Sequence, residues 1–354
     1  MAIAHSALSP AHAASFDGRR AVRFWLVAVA GLVFLMVLVG GATRVTESGL
    51  SITQWKPVTG VIPPLSAAEW QAEFDRYRQI PQFARLNADM TLDGFKTIFW
   101  WEWSHRLLAR IVGAAFILPG LWFWWRGQFK GALGRQVAVA TGLLALEPIV
   151  GWWMVTSGLS ERIEVAPQRL ALHLLIAAAT FGALIYAAVS LSERPRSRTA
   201  PRGFAISAWI FAALIFCQLG LGALVAGLRA GLIYNTWPLM GSSFVPGEAF
   251  RPSALKAIFG DPATAQFDHR MIGYTVVVFA LVQAAAALRA APGSPLASRA
   301  IVLAGVALIQ VGLGIATLLA LVPIELALPH QALAFVLFGL AIVHLPATGL
   351  EREG

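Results

Sequence analysis

"GGATRVTESGLSITQWKP", residues 40–57, and "GALVAGLRAGLIYNTWP", residues 222–238, follow one pattern in two places. Each leaves an apolar run through small residues, crosses a Ser-Gly-Leu or Ala-Gly-Leu step and reaches a tryptophan and a proline. Like segments recurring in order mark an internal repeat, and finding one decides how the whole chain divides. The match continues outward. "EWSHR" at 102–106 aligns with "QFDHR" at 266–270, and "LEPIVGWWM" from Leu146 aligns with "IQVGLGIAT" from Ile309. "LALHLL" around His173 and "LPHQAL" around His330 complete the series, each with one early histidine.

The medium around these segments follows from composition. Of 354 residues, 58% are hydrophobic and only 13% charged, and the mean hydropathy is +0.69. Such a chain lacks the polar surface of a soluble globule, so a bilayer is its main solvent. A span needs about 20 apolar residues as helix, and eight stretches qualify, near 23–43, 98–125, 134–155, 168–190, 203–228, 266–290, 299–321 and 325–347. The expected fold is therefore an all-α polytopic membrane protein, its eight transmembrane helices forming two tandem four-helix bundles related by a pseudo-two-fold repeat. The divisions are a disordered tail over 1–22, a first half over 23–190, a linker over 191–202, a second half over 203–348 and a tail over 349–354. Four helices separate the copies, so both halves insert with the same orientation.

Basic residues set that orientation. Arg19, Arg20, Arg23, Arg126, Lys130, Arg135, Arg194, Arg196, Arg198, Arg202, Arg289, Arg299 and Arg352 fall on one side and the opposite short loops are poorer in them, which places both termini in the cytoplasm. Topology, rather than nucleic acid, accounts for the net charge of +9, because no basic run alternates with stacking aromatics. Cys217 is the only cysteine, which excludes an intramolecular disulfide and a cysteine-built zinc or iron-sulfur site. The Trp-rich "WFWW" at 122–125 reads as an interfacial belt. The long loops 44–97 and 229–265 lie outside the cytoplasm, and an amphipathic helix is expected in the first, around "AAEWQAEFDRYRQI".

Seven histidines occur: His5 and His12 in the tail, His344 near the inner end of the last helix, and four in the first turns of the even-numbered helices. Those four, His105, His173, His269 and His330, would share one depth near the outer face. Two parallel helices per half would then offer one imidazole each, the set that bis-histidine ligation of a heme requires. A lone intramembrane histidine bonding a neighbouring helix is the simpler account of any one of them. Zinc fits poorly, for two histidines without a cysteine or paired carboxylate make an incomplete ligand set. Arg106 and Arg270 follow their histidines and either contact heme propionates or snorkel to headgroups. Glu102 shares a helix face with His105, whereas its counterpart beside His269 is Gln266. Unless Glu102 is only an interfacial or capping residue, that asymmetry assigns proton-coupled chemistry to the first half and electron transfer to the second.

"GGATRVTESGLSITQWKPVTG", "WWEWSHR", "GWWMVTSGL", "LALHLL", "FDHRMIGY" and "PHQALA" together resemble the heme A synthase family, in its cysteine-poor, proteobacterial type. The resemblance covers nearly all the chain beyond about residue 20. It implies oxidation of the C8 methyl group of heme O to the formyl group of heme A by two hydroxylations and loss of water. It further implies that His105 and His173 flank the substrate heme, that Glu102 is the essential acid, and that His269 and His330 hold a heme b cofactor. A bacterial inner-membrane setting follows, with heme O synthase (a farnesyltransferase), cytochrome oxidase assembly factors and lipids as expected partners, and with room for oligomers. Where similar proteins usually read Gln-Gly in the third helix, this chain has Glu147-Pro148. The rival from another class is a diheme electron carrier resembling cytochrome b561, which would leave its hemes unmodified. A transporter built from repeats is a third reading, but its polar residues would gather at the midplane.

Overall fold

A lipid-exposed chain must close its own backbone hydrogen bonds, so the apolar segments are dictated to be helices. The computed structural model describes residues 10–192, 202–247 and 259–345. In chain order its helices are α1 (Pro10–Val45), α2 (Ala67–Tyr77), α3 (Pro81–Leu86), α4 (Leu92–Trp125), α5 (Gly131–Thr156), α6 (Pro167–Ser190), α7 (Arg202–Gly227), α8 (Pro262–Ala290), α9 (Pro295–Leu319) and α10 (Ile324–His344). Eight of them, all but α2 and α3, are long and apolar enough to cross a membrane. No strand occurs among the described residues beyond an isolated bridge between Met240 and Ser243.

Two helices start well before the apolar runs that hydropathy indicates. α1 begins at Pro10, so the later part of the stretch expected as a disordered tail is helical. Proline suits a first helical position, and the alanines behind it let the helix propagate. α4 begins at Leu92, where Thr91 accepts a hydrogen bond from the Gly94 amide. His105 consequently sits more than three turns into its helix. Residues 193–201 of the expected linker and the tail over 349–354 lie outside the described residues.

The added turns of α4 serve the loop before it. Ser66 and Glu69 form a reciprocal capping box that starts α2. From there Phe74 and Tyr77 face inward and pack with Leu50, Ile52, Ile80, Phe95 and Phe99 as a small separate core. Each such side chain contributes roughly 1.5–3 kcal/mol when buried, enough to make 44–97 a folded cap rather than a loose loop. Burial alone would raise the pKa of Glu73, but its contacts with Arg76 (2.6 Å) and Lys56 (3.0 Å) outweigh that and hold it below the usual glutamate value. At the far side of the cap, Trp55 packs against Trp152 of α5, ring centroids 5.1 Å apart and the planes tilted by 47°.

Within the membrane region α1 packs on α4 and α6, and α5 on α6; in the second half α7 packs on α8 and α10, and α9 on α8 and α10. Small residues such as Ala178, Ala187, Ala212, Ala280, Ala300 and Ala307 are buried at these seams, as close helix approach in lipid requires. Large apolar side chains are instead exposed on the outside, among them Trp122, Trp124, Trp125, Val282 and Ile309, where lipid would cover them. The halves meet through α6 with α7, α6 with α10 and α1 with α10.

Residues made equivalent by the repeat touch one another there. A Cβ on Gly182 would lie 3.1 Å from the Phe338 ring, and a Cβ on Gly339 would lie 3.1 Å from the Phe181 ring. Beyond the helix ends Arg229 donates to Glu47 at 2.5 Å, and both residues adopt the left-handed backbone, at φ 50° and 57°. Arg44 donates to the carbonyl of its counterpart Ala226 at 2.8 Å and to Glu164 at 2.8 Å, while Arg229 also pairs with Glu164. Such reciprocal contacts are compatible with a pseudo-two-fold relation between the halves. Substituting Gly182 by Ile would press into Phe338 and should cost roughly 1–3 kcal/mol by overpacking. The expected result is a lowered thermal midpoint for the purified protein in detergent; an unchanged midpoint would mean that α6 and α10 do not cross at this contact.

Candidate functional site

Each of the four intramembrane histidines lies against a glycine of the preceding spanning helix. A Cβ at Gly40 of α1 would stand 3.1 Å from His105 Nε2, and one at Gly151 of α5 would stand 3.1 Å from His173 Cε1. In the second half a Cβ at Gly222 of α7 would approach His269 Cε1 to 3.2 Å, and one at Gly314 of α9 would approach His330 Cε1 to 2.8 Å. Contacts this short are closer than ordinary van der Waals packing, so the glycines are what admit the imidazoles between helices. Gly40 and Gly222 are repeat partners, as are Gly151 and Gly314.

The arginines beside two of these histidines bind loops. Arg106 donates to the carbonyls of Ile52 (2.7 Å) and Gln54 (2.9 Å) and to Glu102, through Nε at 3.0 Å and through a terminal nitrogen at 2.5 Å. Glu102 is 3% exposed and accepts two further hydrogen bonds at 2.8 Å, from the Ser51 hydroxyl and the Ile52 amide. A buried carboxylate is tolerated only with such complete pairing. The second half keeps the frame without the carboxylate. Arg270 donates to the carbonyls of Tyr234 (2.9 Å) and Leu239 (3.3 Å), and Gln266 donates to Tyr234 at 3.1 Å. Arg270 Nε is buried and makes no hydrogen bond among the described residues.

Polar partners of the imidazoles come from positions to which the sequence alone assigned no role. The Gln218 amide lies 3.1 Å from His269 Nδ1, and the Gln310 amide lies 3.1 Å from His330 Nδ1. Both also donate to the backbone carbonyl of the same histidine, at 2.9 and 3.0 Å. Glu147, which the sequence singled out without a role, places Oε2 2.6 Å from His173 Nδ1. α5 runs on through Pro148, which leaves the helix carbonyl one turn back without its amide donor. The legible signal was the register: Gln218, Glu147 and Gln310 each stand four residues before a histidine-facing glycine. The same position before Gly40 is Met36, so His105 is the member of the set without a polar partner of this kind.

The arrangement suits a macrocycle that brings its own four equatorial nitrogens. An iron held between two imidazoles at metal–nitrogen distances of about 2 Å separates their ring centroids by roughly 6 Å; the centroids of His269 and His330 are 6.5 Å apart. Among the described residues no group of three or more His, Cys, Asp or Glu side chains converges as a metal-ligand set, so the side chains do not by themselves assemble the three or four donors of a protein zinc site.

The cytochrome oxidase assembly protein family, COX15-CtaA, matches the chain over residues 23–342. A heme A synthase of Rhodopseudomonas palustris (strain BisA53) is 50% identical over 329 residues, covering 92% of this chain and 90% of the relative. The heme A synthase of Brucella anthropi is 48% identical over 341 residues, covering 95% and 94%. That of Beijerinckia indica is 48% identical over 340 residues, covering 95% of each. With a match that takes in every spanning helix, the chain belongs to the COX15-CtaA family of cytochrome oxidase assembly proteins.

Proposed function

We propose that this chain is an oxidoreductase that converts heme O to heme A, with the chemistry in its first half. The observation that carries the reading is the pairing of four glycine-seated histidines with one buried carboxylate, Glu102, that the second half lacks. His105 and His173 hold the substrate heme between α4 and α6. His269 and His330 hold heme b, which supplies one-electron transfer when bound. Gln218 and Gln310, donating to the backbone carbonyls of these two histidines, hold the helix turns that carry the imidazoles. Arg106 and Arg270 are the propionate contacts nearest to each pair, exchanging loop carbonyls for a carboxylate as they engage it.

Oxidising a methyl to a formyl group with water removes four electrons and four protons and adds one oxygen atom; the electrons would leave one at a time by way of the second-half heme to an external one-electron oxidant. Two hydroxylations give a geminal diol, which loses water. With an imidazole on each face of the substrate, water at the methyl group is the oxygen source in this proposal. Glu102, bonded to the Ser51 hydroxyl, takes up protons on the side where the cap folds over α4. Both termini would be cytoplasmic and both heme sites would face the opposite side of the inner membrane. Heme O synthase and oxidase assembly factors are the partners that the substrate and product require.

Acid-acetone extraction of the purified protein, followed by chromatography, should yield heme b together with hemes O and A. Heme b alone would instead identify a diheme electron carrier. Glu102→Gln preserves shape and should leave bound heme in place while lowering heme A formation by roughly 10²-fold or more. If that variant loses all its heme, Glu102 only anchors the loop. Under conditions that block exchange of the formyl oxygen, label from oxygen-18 water is expected in the product, and label arriving from dioxygen would refute water as the source.

A further inference from the structure

Glu147 stands where the second half has Gln310, one helical turn before the glycine that seats a histidine. Its Oε2 is 2.6 Å from His173 Nδ1, within ion-pair distance but outside hydrogen-bond angles, and both Nδ1 and Oε1 are buried with no hydrogen-bond partner among the described residues. Glu102 shares its charge with an arginine, a hydroxyl and a backbone amide, whereas the imidazole is the one close partner seen for Glu147. The two carboxylates are therefore differently placed: one is tied into a strap, the other is directed at a ring.

We infer that Glu147 is a positioning residue that tunes the iron held by His173. The inference rests on the reading that His173 is an axial ligand of the substrate heme. A carboxylate can only accept, so it fixes the proton of His173 on Nδ1 and leaves the Nε2 lone pair for the metal. A small turn of the ring lets Nδ1–H donate to that anion, which gives the ring imidazolate character and strengthens it as a metal donor. A stronger donor favours ferric over ferrous iron and lowers the midpoint potential. At Gln310 the atom nearest His330 Nδ1 is an uncharged amide nitrogen, which donates and cannot accept, so it exerts none of this pull. The carboxylate thus separates the two irons in potential, through a single residue difference at one repeat position.

The test is a spectroelectrochemical titration of the heme-loaded protein in four forms: unchanged, Glu147→Gln, Gln310→Glu and His173→Ala. His173→Ala identifies the heme wave of the first half by removing it. Glu147→Gln should raise that wave alone, by at least tenfold in the ferric-to-ferrous equilibrium, about 59 mV for one electron. Gln310→Glu should lower the other wave alone by a similar factor, and this second variant gives the answer independently should the first fail to load. If His173→Ala removes a wave that Glu147→Gln leaves in place, or if Gln310→Glu leaves the other wave unmoved, the tuning role is refuted while ligation by His173 stands. If His173→Ala leaves both waves intact, ligation itself is refuted and the inference falls with it.

Discussion

Four points at which a helix has no side chain govern the site. An imidazole can enter the space between two spanning helices only if the facing backbone is bare, and at Gly40, Gly151, Gly222 and Gly314 it is. Any Cβ there would stand 2.8–3.2 Å from a ring atom, closer than packed atoms tolerate. The close approach then fixes what else reaches the ring. One turn earlier on the same helix face, a side chain of glutamine or glutamate length meets Nδ1. Glycine for entry and a polar residue one turn before it form a unit, used in three of the four positions.

The connecting segments obey a parallel rule. Arg106 and Arg270 bind carbonyls at repeat-equivalent places, Ile52 and Tyr234, so each loop is strapped to the helix that bears a histidine. In the first half the strap encloses a carboxylate and is covered by a core of its own around Phe74, Tyr77 and Phe95. In the second half an amide, Gln266, takes that place and the Arg270 strap has no carboxylate beside it. The halves thus share a frame and differ in whether a proton-binding group is built into it.

Much of this was legible from residue order. Twenty-residue apolar runs have few folds open to them in lipid, so the eight spans and their alternation followed directly. The histidines were conspicuous because imidazoles are rare in apolar helices and these recur with the repeat. The early starts of α1 and α4 were not visible to hydropathy, since Pro10 and Leu92 open polar or mixed turns held by helix propensity and by the cap. Gln218 and Gln310 were missed for a different reason: a lone glutamine in an apolar helix gives no sign of its target until the facing helix is placed. Arg106 was noticed for its charge, whereas its bonds to two loop carbonyls depend on where residues 52–54 return.

The meeting of Glu47 with Arg229 says something about having both halves in one chain. The two residues occupy the same repeat position and the same unusual backbone conformation, yet they carry opposite charges. In a dimer of identical subunits the residues facing each other across the axis would be copies, so two carboxylates or two guanidiniums would meet and repel. Fusing the copies frees the two positions to diverge, and an attractive pair can then sit where strict symmetry permits only a repulsive or a neutral one. A single polypeptide can thus lock its two halves together at a point where separate identical subunits would be pushed apart.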